Sequence, residues 1–568
     1  MDNQRLLVWA TFGLMAFLTW EAWNRDYAPP PPAVDAPTAE APAMPAASDS
    51  LPEISDDAVP SLASDEPASP AELPALADAD RGDAVIRVTT DVLALEISTR
   101  GGTLQRADLF RYPVAKERPD EPVTLLSTRR ENLGLLQTGL LTRDPDAPAP
   151  NQKALFRADR DSYALGDADE LVVPLTWDDG NGVTVTKRYR FTRGSYRIDV
   201  VQELDNASAA DWTGAQYAQL QRRSYDPDRS MFDVDSYSFD GPIIYDGEKS
   251  EKLDRDDITG GGVQLSTSNG WVATIQHHFL SAVVPPAGEP FSYAVRAANN
   301  VARASTVGQP LTVPAGQSHR FETTLFVGPK LQEQLEEIAP TLKLTVDYGL
   351  LTILSEPLFW LLSIVYDWVK NWGVAIIIVT ILIKLAFYKL TEKSGRSMAK
   401  MRKLQPRMKA LQERYKDDRQ QLSQQMMELY KREKVNPAAG CLPILIQMPF
   451  FLAFYWVLLE SVEMRQAPFA GWITDLSSRD PYFILPIIMG AAMLGQQKLN
   501  PAPADPVQAK VMQIMPIVFT AFFAFFPSGL VLYWVTNTLL SIAQQWQINK
   551  VVEQEDRKAS GKAQKKKD

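Results

Sequence analysis

One cysteine, Cys441, stands among 568 residues, so no internal disulfide can form. It lies in an apolar run, where a small packed thiol is the expected role. Three histidines, His277, His278 and His319, leave little from which to build a metal site. His277 and His278 are adjacent in a stretch that reads as a strand, so their side chains are expected on opposite faces. No Walker-type phosphate loop occurs, which excludes the common nucleotide-driven step. Neither a cofactor nor a metal is implied, and no DNA partner.

Basic residues are missing altogether from Asp26 to Asp80, where twelve acids stand. The net charge of −11 hides this segregation. Between Lys389 and Lys434 there are fourteen Lys/Arg against six Asp/Glu, and the chain ends "GKAQKKKD". Such asymmetry predicts separate environments for the segments.

What is present falls into blocks. Residues 1–27 carry "LLVWATFGLMAFLTWEAW" (6–23); its short apolar core allows a cleaved signal peptide, but no small-x-small site follows directly, which favours a retained anchor span. Residues 28–80, rich in Pro, Ala, Asp and Glu, cannot bury enough surface to offset chain entropy and read as a disordered acidic tether. An extended tether of this length would reach about 150 Å. Residues 81–330 change to short alternating runs between turns. "VLALEIS" stops at Gly101-Gly102, "DDGNG" (178–182) separates two alternating runs, and "YRIDVVQEL" and "HRFETTLFV" follow. This pattern predicts a large antiparallel β-sandwich. Its polar residues do not converge on an evident reaction site.

Residues 331–372 read as a connection and an amphipathic interfacial helix, because Glu356, Pro357, Asp367 and Lys370 interrupt the apolar stretch 344–372. A second span is expected at 373–391 and a basic helical hairpin at 392–436. Four further spans are expected within 437–549, and a basic tail at 550–568. Parity supports this order. With the sandwich outside, the span at 373–391 returns inward and delivers the basic hairpin to the cytoplasm. The expected fold is thus a six-span α-helical bundle, a five-helix core plus the N-terminal anchor, with both termini inside. The stretch 461–480 is nearly balanced in charge, as suits an external loop.

Lys384 sits inside the apolar run "IVTILIKLAFYKL" (378–390). An ionised lysine at a bilayer centre costs about 2.5–3.5 kcal/mol on insertion scales. Two readings stand. Lys384 snorkels to the interface near Tyr388, or it lies in a water-filled hollow open to the cytoplasm. Polar groups at helical spacing are available to line a hollow. Thr380 and Lys384 are four apart; Trp534, Asn537, Ser541 and Gln544 follow steps of three, four and three; Gln513, Pro516 and Thr520 share a side; Gln447 precedes Phe451 and Tyr455. The alternative for these stripes is helix–helix hydrogen bonding that only holds the bundle together.

In the basic segment, Met398, Met401, Leu404, Met408, Leu411 and Tyr415 recur at three- or four-residue steps, and Leu422, Met426 and Leu429 repeat the pattern. Two antiparallel amphipathic helices turning near Asp417-Asp418 are expected. Lys400, Arg402, Lys403 and Arg407, with Lys565, Lys566 and Lys567 of the tail, are candidates for contact with ribosomal RNA, anionic lipids or a nascent chain. The alternative is a solvated hairpin whose charges merely fix topology.

Four long motifs carry a resemblance. "SMAKMRKLQP" (397–406), "EKVNPAAGCLPILIQMPFFLAFYWVL" (433–458), "QAPFAGWITDLSSRDPYFILPIIMG" (466–490) and "FPSGLVLYWVTN" (526–537) resemble the YidC membrane protein insertases of Gram-negative bacteria. The resemblance covers nearly the whole chain; the acidic linker matches only in character. It implies a non-catalytic inner-membrane insertase that receives nascent membrane proteins from the ribosome or the Sec translocon and its accessory subunits. It also implies a sandwich resembling sugar-mutarotase folds, and an inward-open polar groove holding one positive charge. That charge is usually an arginine; the matching residue here is Lys384, which keeps the charge without the flat fork of donors. Lys389 stands where family members have proline. Groove candidates are Lys384, Thr380, Gln447, Gln513, Thr520, Asn537 and Ser541. Candidates for an apolar slide into lipid are Met448, Phe451, Tyr455, Phe523, Tyr533 and Trp534. Two other classes remain as alternatives, a solute transporter or channel and an anchored periplasmic sugar-active enzyme. The first would usually show paired repeats and buried acids; the second would need carboxylates or histidines gathered in the sandwich.

Overall fold

The computed structural model describes residues 84–143, 147–223, 239–259, 261–415, 418–433, 442–499 and 506–564. The expected anchor and linker, Cys441, Lys565, Lys566 and Lys567 lie outside them. The chain forms two compact units. Of the described residues, one unit takes those of 84–349 together with Glu460–Gln466, and the other those of 350–459 and 467–564.

The first unit is built on an 11-stranded and a nine-stranded sheet. Alternation dictates which side chains enter its core. In the strand Val183–Thr192, Val183, Val185, Lys187, Tyr189 and Phe191 are buried while the residues between them are half-buried or exposed. The expected hairpin at 178–182 joins Glu170–Asp178 to Val183–Thr192, and Asp179 Oδ1 accepts from the Asn181 and Val183 amides. At Gly101 the φ of +68° and a would-be Cβ only 2.5 Å from Gln152 Cα require glycine. Pairing is antiparallel except at one edge, where Val85–Thr89 runs parallel to Ser162–Ala164.

Lys187 follows the inward phase of its strand and is fully buried. Its ammonium donates to Gly101 O (2.8 Å) and Thr138 O (2.5 Å) and lies 4.8 Å from the Phe156 ring centre. The neighbouring Tyr189 hydroxyl donates to Gly102 O. Burial pushes the Lys187 ammonium down to about 7.

The two adjacent histidines correct the sequence expectation. His277 and His278 occupy the turn between Trp271–Gln276 and Phe279–Val284, and their rings stack at 3.7 Å. His277 has φ +46°, so the chain reverses there and strand alternation does not apply.

The segment Glu460–Gln466 is built into the sandwich unit. Val462 and Met464 are each 1% exposed. Arg465 Nη2 donates to Pro113 O (3.0 Å) and Val114 O (3.2 Å), and its guanidinium lies 5.2 Å from the Phe279 ring centre. Gln466 Nε2 donates to Pro113 O at 2.8 Å. Lys330, at the end of the strand Gln317–Pro329, pairs with Glu460 at 3.4 Å, with side-chain exposures of 2% and 13%. Burial lowers the Lys330 ammonium from its ordinary value while Glu460 opposes that shift. Burial also pushes the Glu463 carboxyl up to about 7.

The second unit is helical: Thr352–Val369, Trp372–Ala386, Tyr388–Arg414, Arg419–Arg432, Leu442–Glu460 (its last residue belonging to the sandwich unit), Ile484–Leu499, Pro506–Phe523 and Ser528–Gln564. Asn371 caps the second of these, its side chain accepting from the Val374 amide at 3.0 Å. The apolar helix 372–386 breaks at Phe387 (φ −90°, ψ 7°) and continues, bent by 68°, as 388–414. The break needs no proline: Lys389 lies inside the next helix. Among the described residues no single helix is long and apolar enough to cross a membrane, though this bent pair passes by length and composition together; Ile446–Glu460 and Lys510–Phe523 are shorter apolar helices. The helix 528–564 runs unbroken from the expected last span into the basic tail.

In the basic segment the helices Tyr388–Arg414 and Arg419–Arg432 pack together; Asp417, at the expected turn, lies outside the described residues. Leu404, Met408 and Leu429 form the buried seam, flanked by Met401, Leu411, Met426 and Tyr430. Asp418 caps the second helix, accepting from the amides of Gln420 and Gln421. The first helix also packs on 528–564, through Ala399 against Ile548 and Val552 and through Arg396 bonded to Glu555 at 2.9 Å.

Candidate functional site

Lys384 lies in the last turn of the helix 372–386, half-buried. Its Nζ donates to Ser541 Oγ at 2.8 Å. Ser541 in turn donates to the Asn537 carbonyl at 2.7 Å, the usual back-bond of a helical serine. With its proton so committed, the Ser541 oxygen presents a lone pair to the ammonium. Among the described residues the ammonium has no carboxylate partner in an ion pair.

The face of 528–564 that carries Ser541 also carries two buried donors. Among the described residues the Trp534 indole nitrogen and the Gln544 amide nitrogen have no hydrogen-bond partner. Gln544 is only 8% exposed. Buried polar atoms are normally paired, so two unpartnered donors on the face that holds the cation are unusual.

Four expected slide residues assemble. Phe451 stacks on Tyr533 (5.8 Å) and meets Trp534 edge-on (4.7 Å), and Phe523 lies 5.0 Å from Trp534. Phe454, which sequence reasoning passed over, completes the cluster 4.9 Å from Tyr533. Its signal was its helical step of three from Phe451. Tyr455 contacts Trp456 at 5.5 Å, and Met448 is exposed on the same helix.

The other groove candidates sit differently. Thr380 is 1% exposed, and its hydroxyl donates to Ile376 O at 2.6 Å. The Thr520 hydroxyl donates to Pro516 O at 2.7 Å and faces Gly490, where a Cβ would fall 2.0 Å from it. Gln447 is half-buried and Gln513 is exposed. Lys400, Arg402, Lys403 and Arg407 are all exposed, and Arg407 pairs with Glu433 at 2.8 Å.

Two family models match the chain: "YidC periplasmic domain" over residues 85–361 and "60Kd inner membrane protein" over residues 364–556. A relative from Methylococcus capsulatus, named "Membrane protein insertase YidC", is 48% identical over 563 residues, covering 98% of this chain and 100% of its own. One of the same name from Thioalkalivibrio sulfidiphilus is 49% identical over 568 residues, with the same coverage. A solved structure described as an active YidC insertase with its first transmembrane domain resolved is 18% identical, covering 82% of this chain and 92% of that chain at a TM-score of 0.36.

Proposed function

Because the chain belongs to the YidC family of membrane protein insertases, we propose that it carries short hydrophilic segments of nascent membrane proteins across the inner membrane through a polar groove at Lys384, and releases their apolar helices into lipid. In this reading the chain crosses the membrane six times with both termini in the cytoplasm and the sandwich in the periplasm. The ribosome and anionic lipids meet the basic hairpin at Lys400, Arg402, Lys403 and Arg407 and the tail at Lys565, Lys566 and Lys567. The Sec translocon and its accessory subunits hand over other clients.

The observation that carries the reading is the Lys384 ammonium, held by a neutral hydroxyl rather than by an acid. An ammonium neutralised by an internal carboxylate would have nothing to offer a client. One resting on a serine oxygen can exchange it for a client carboxylate, the stronger charge-assisted partner. The inside-negative potential then favours outward movement of that acid by about 2.3 kcal/mol per charge per 100 mV. The aromatic cluster of Phe451, Phe523, Tyr533 and Trp534 offers the apolar segment a surface on its way out, and burial in lipid drives that last step. The groove list of Thr380, Gln447, Gln513, Thr520 and Asn537 belongs to this proposal as candidate lining.

The test is insertion into proteoliposomes of clients with short acidic or neutral tails. Lys384→Glu is expected to impair acidic tails most. Equal activity on all tails would favour a lysine that merely snorkels.

A further inference from the structure

On one face of the helix 528–564 the buried Trp534 indole N–H and Gln544 amide N–H flank Ser541, which accepts from the Lys384 ammonium of the helix 372–386. All three nitrogens are donors. Trp534 and Gln544 are ten residues apart, which at 1.5 Å per residue is about 15 Å along the helix. In an extended peptide the carbonyls on one side recur every second residue, so those of residues i and i+4 lie about 13–14 Å apart. An extended segment laid along this face therefore brings one carbonyl to Trp534 and another to Gln544, with a side chain between them near Lys384.

We propose that Gln544 and Trp534 are backbone-binding residues that hold the client's hydrophilic segment in an extended form by donating to its main-chain carbonyls, whatever its sequence. The proposal rests on the reading above and deepens it. Lys384 reads the charge of the segment, and the two flanking donors bear its main chain. A chain entering an apolar bundle must find partners for its peptide groups, because unpaired ones are costly away from water. Gln544 suits this role: it is buried, its donor is open, and it lies one turn beyond the serine that holds the cation. The Trp534 ring is fixed by Phe451 and Phe523, which sets the direction of its N–H.

Gln544→Leu removes the donor at similar volume, and Trp534→Phe keeps a ring while removing the N–H. The full-length protein is reconstituted with three clients: an acidic tail, a neutral tail, and a single apolar segment with no translocated tail. Each variant is expected to slow both tailed clients about equally, by roughly tenfold, and with Gln544→Leu, whose residue lies outside the aromatic cluster, the tail-less client inserts normally. A loss confined to acidic tails would overturn main-chain recognition, as would unchanged translocation of both. Loss of the tail-less client as well would mark Gln544 as a purely structural residue and also overturn the proposal. Lys384→Glu in the same assay separates the two ideas. If it spares every tail while Gln544→Leu does not, the reading of the charged groove fails and main-chain binding stands.

Discussion

Replacing Lys330 by methionine removes the cation from a buried pair and leaves Glu460, 13% exposed, without it. Removing one partner of such a pair typically costs about 3–5 kcal/mol, whereas replacing both is often near neutral. With Glu460 partly exposed, the expected loss lies at the lower end of that range, about 3 kcal/mol. The segment that loosens is 460–466, so the local assay is hydrogen exchange of the Met464 and Arg465 amides, which bond to Ser461 O and Val462 O. In the full-length protein, Lys330→Met should speed their exchange more than 100-fold at pH 7 after correction for intrinsic rates. The double variant with Glu460→Gln should recover most of it. Exchange within fivefold of the native rate at pH 7, or a double variant as fast as the single one, would refute the argument.

Three further outcomes are expected. Glu463 has its pKa raised above the unfolded value, so stability is fully present below about 4.5 and is lost as pH rises through about 7; Glu463→Gln should flatten that decline, measured by unfolding of the sandwich unit in the full chain between pH 5 and pH 8. Lys187→Met should destabilise the sandwich by about 1–3 kcal/mol, because the Gly101 and Thr138 carbonyls lose a buried donor; denaturant unfolding followed by tryptophan fluorescence reads it. Gly373→Ala should cost about 1–3 kcal/mol by overpacking, since a Cβ there would stand 2.1 Å from the Phe469 ring, and a lowered melting temperature in detergent would register it.

The features legible in the sequence were those fixed by local periodicity. The hairpin at 178–182 and the methionine–leucine seam of the basic segment follow from steps of two and of three or four, and both are present. Lys187 was legible in the same way, because the alternation of "VTVTKRYRF" places it on the inward face; its charge argued against the pattern, and the pattern won because two carbonyls and a ring receive the ammonium. What could not be read was long-range. Lys330 and Glu460 are 130 residues apart, and nothing near either one announces the other. The balanced charge of 461–480 carries no packing signal, and that Val462 and Met464 are core residues could not be read from it. The histidine pair failed for a different reason: the run 271–284 carries no glycine or proline at its reversal, so the turn left no composition signal. At the groove, spacing placed Ser541 and Asn537 on one face, but not the rotamer that gives Thr380's hydroxyl to its own helix.

The identity of the groove cation also follows from its acceptor. Ser541 gives its proton to Asn537, so it has one oxygen to offer the group that faces it. A guanidinium brings five donors in a rigid plane and would leave most of them unanswered at a single hydroxyl. An ammonium is a compact charge on a flexible stem, served by one protein oxygen with its other protons free for water or client. A lysine at this position is thus matched to a neighbour that holds the charge loosely. On the function proposed above, loose holding serves transfer: a bond to a neutral hydroxyl is weaker than one to a carboxylate, so an acidic client would displace it and a neutral one would not. On that proposal charge selectivity resides in the difference between two acceptors of one cation, rather than in the presence of the cation alone.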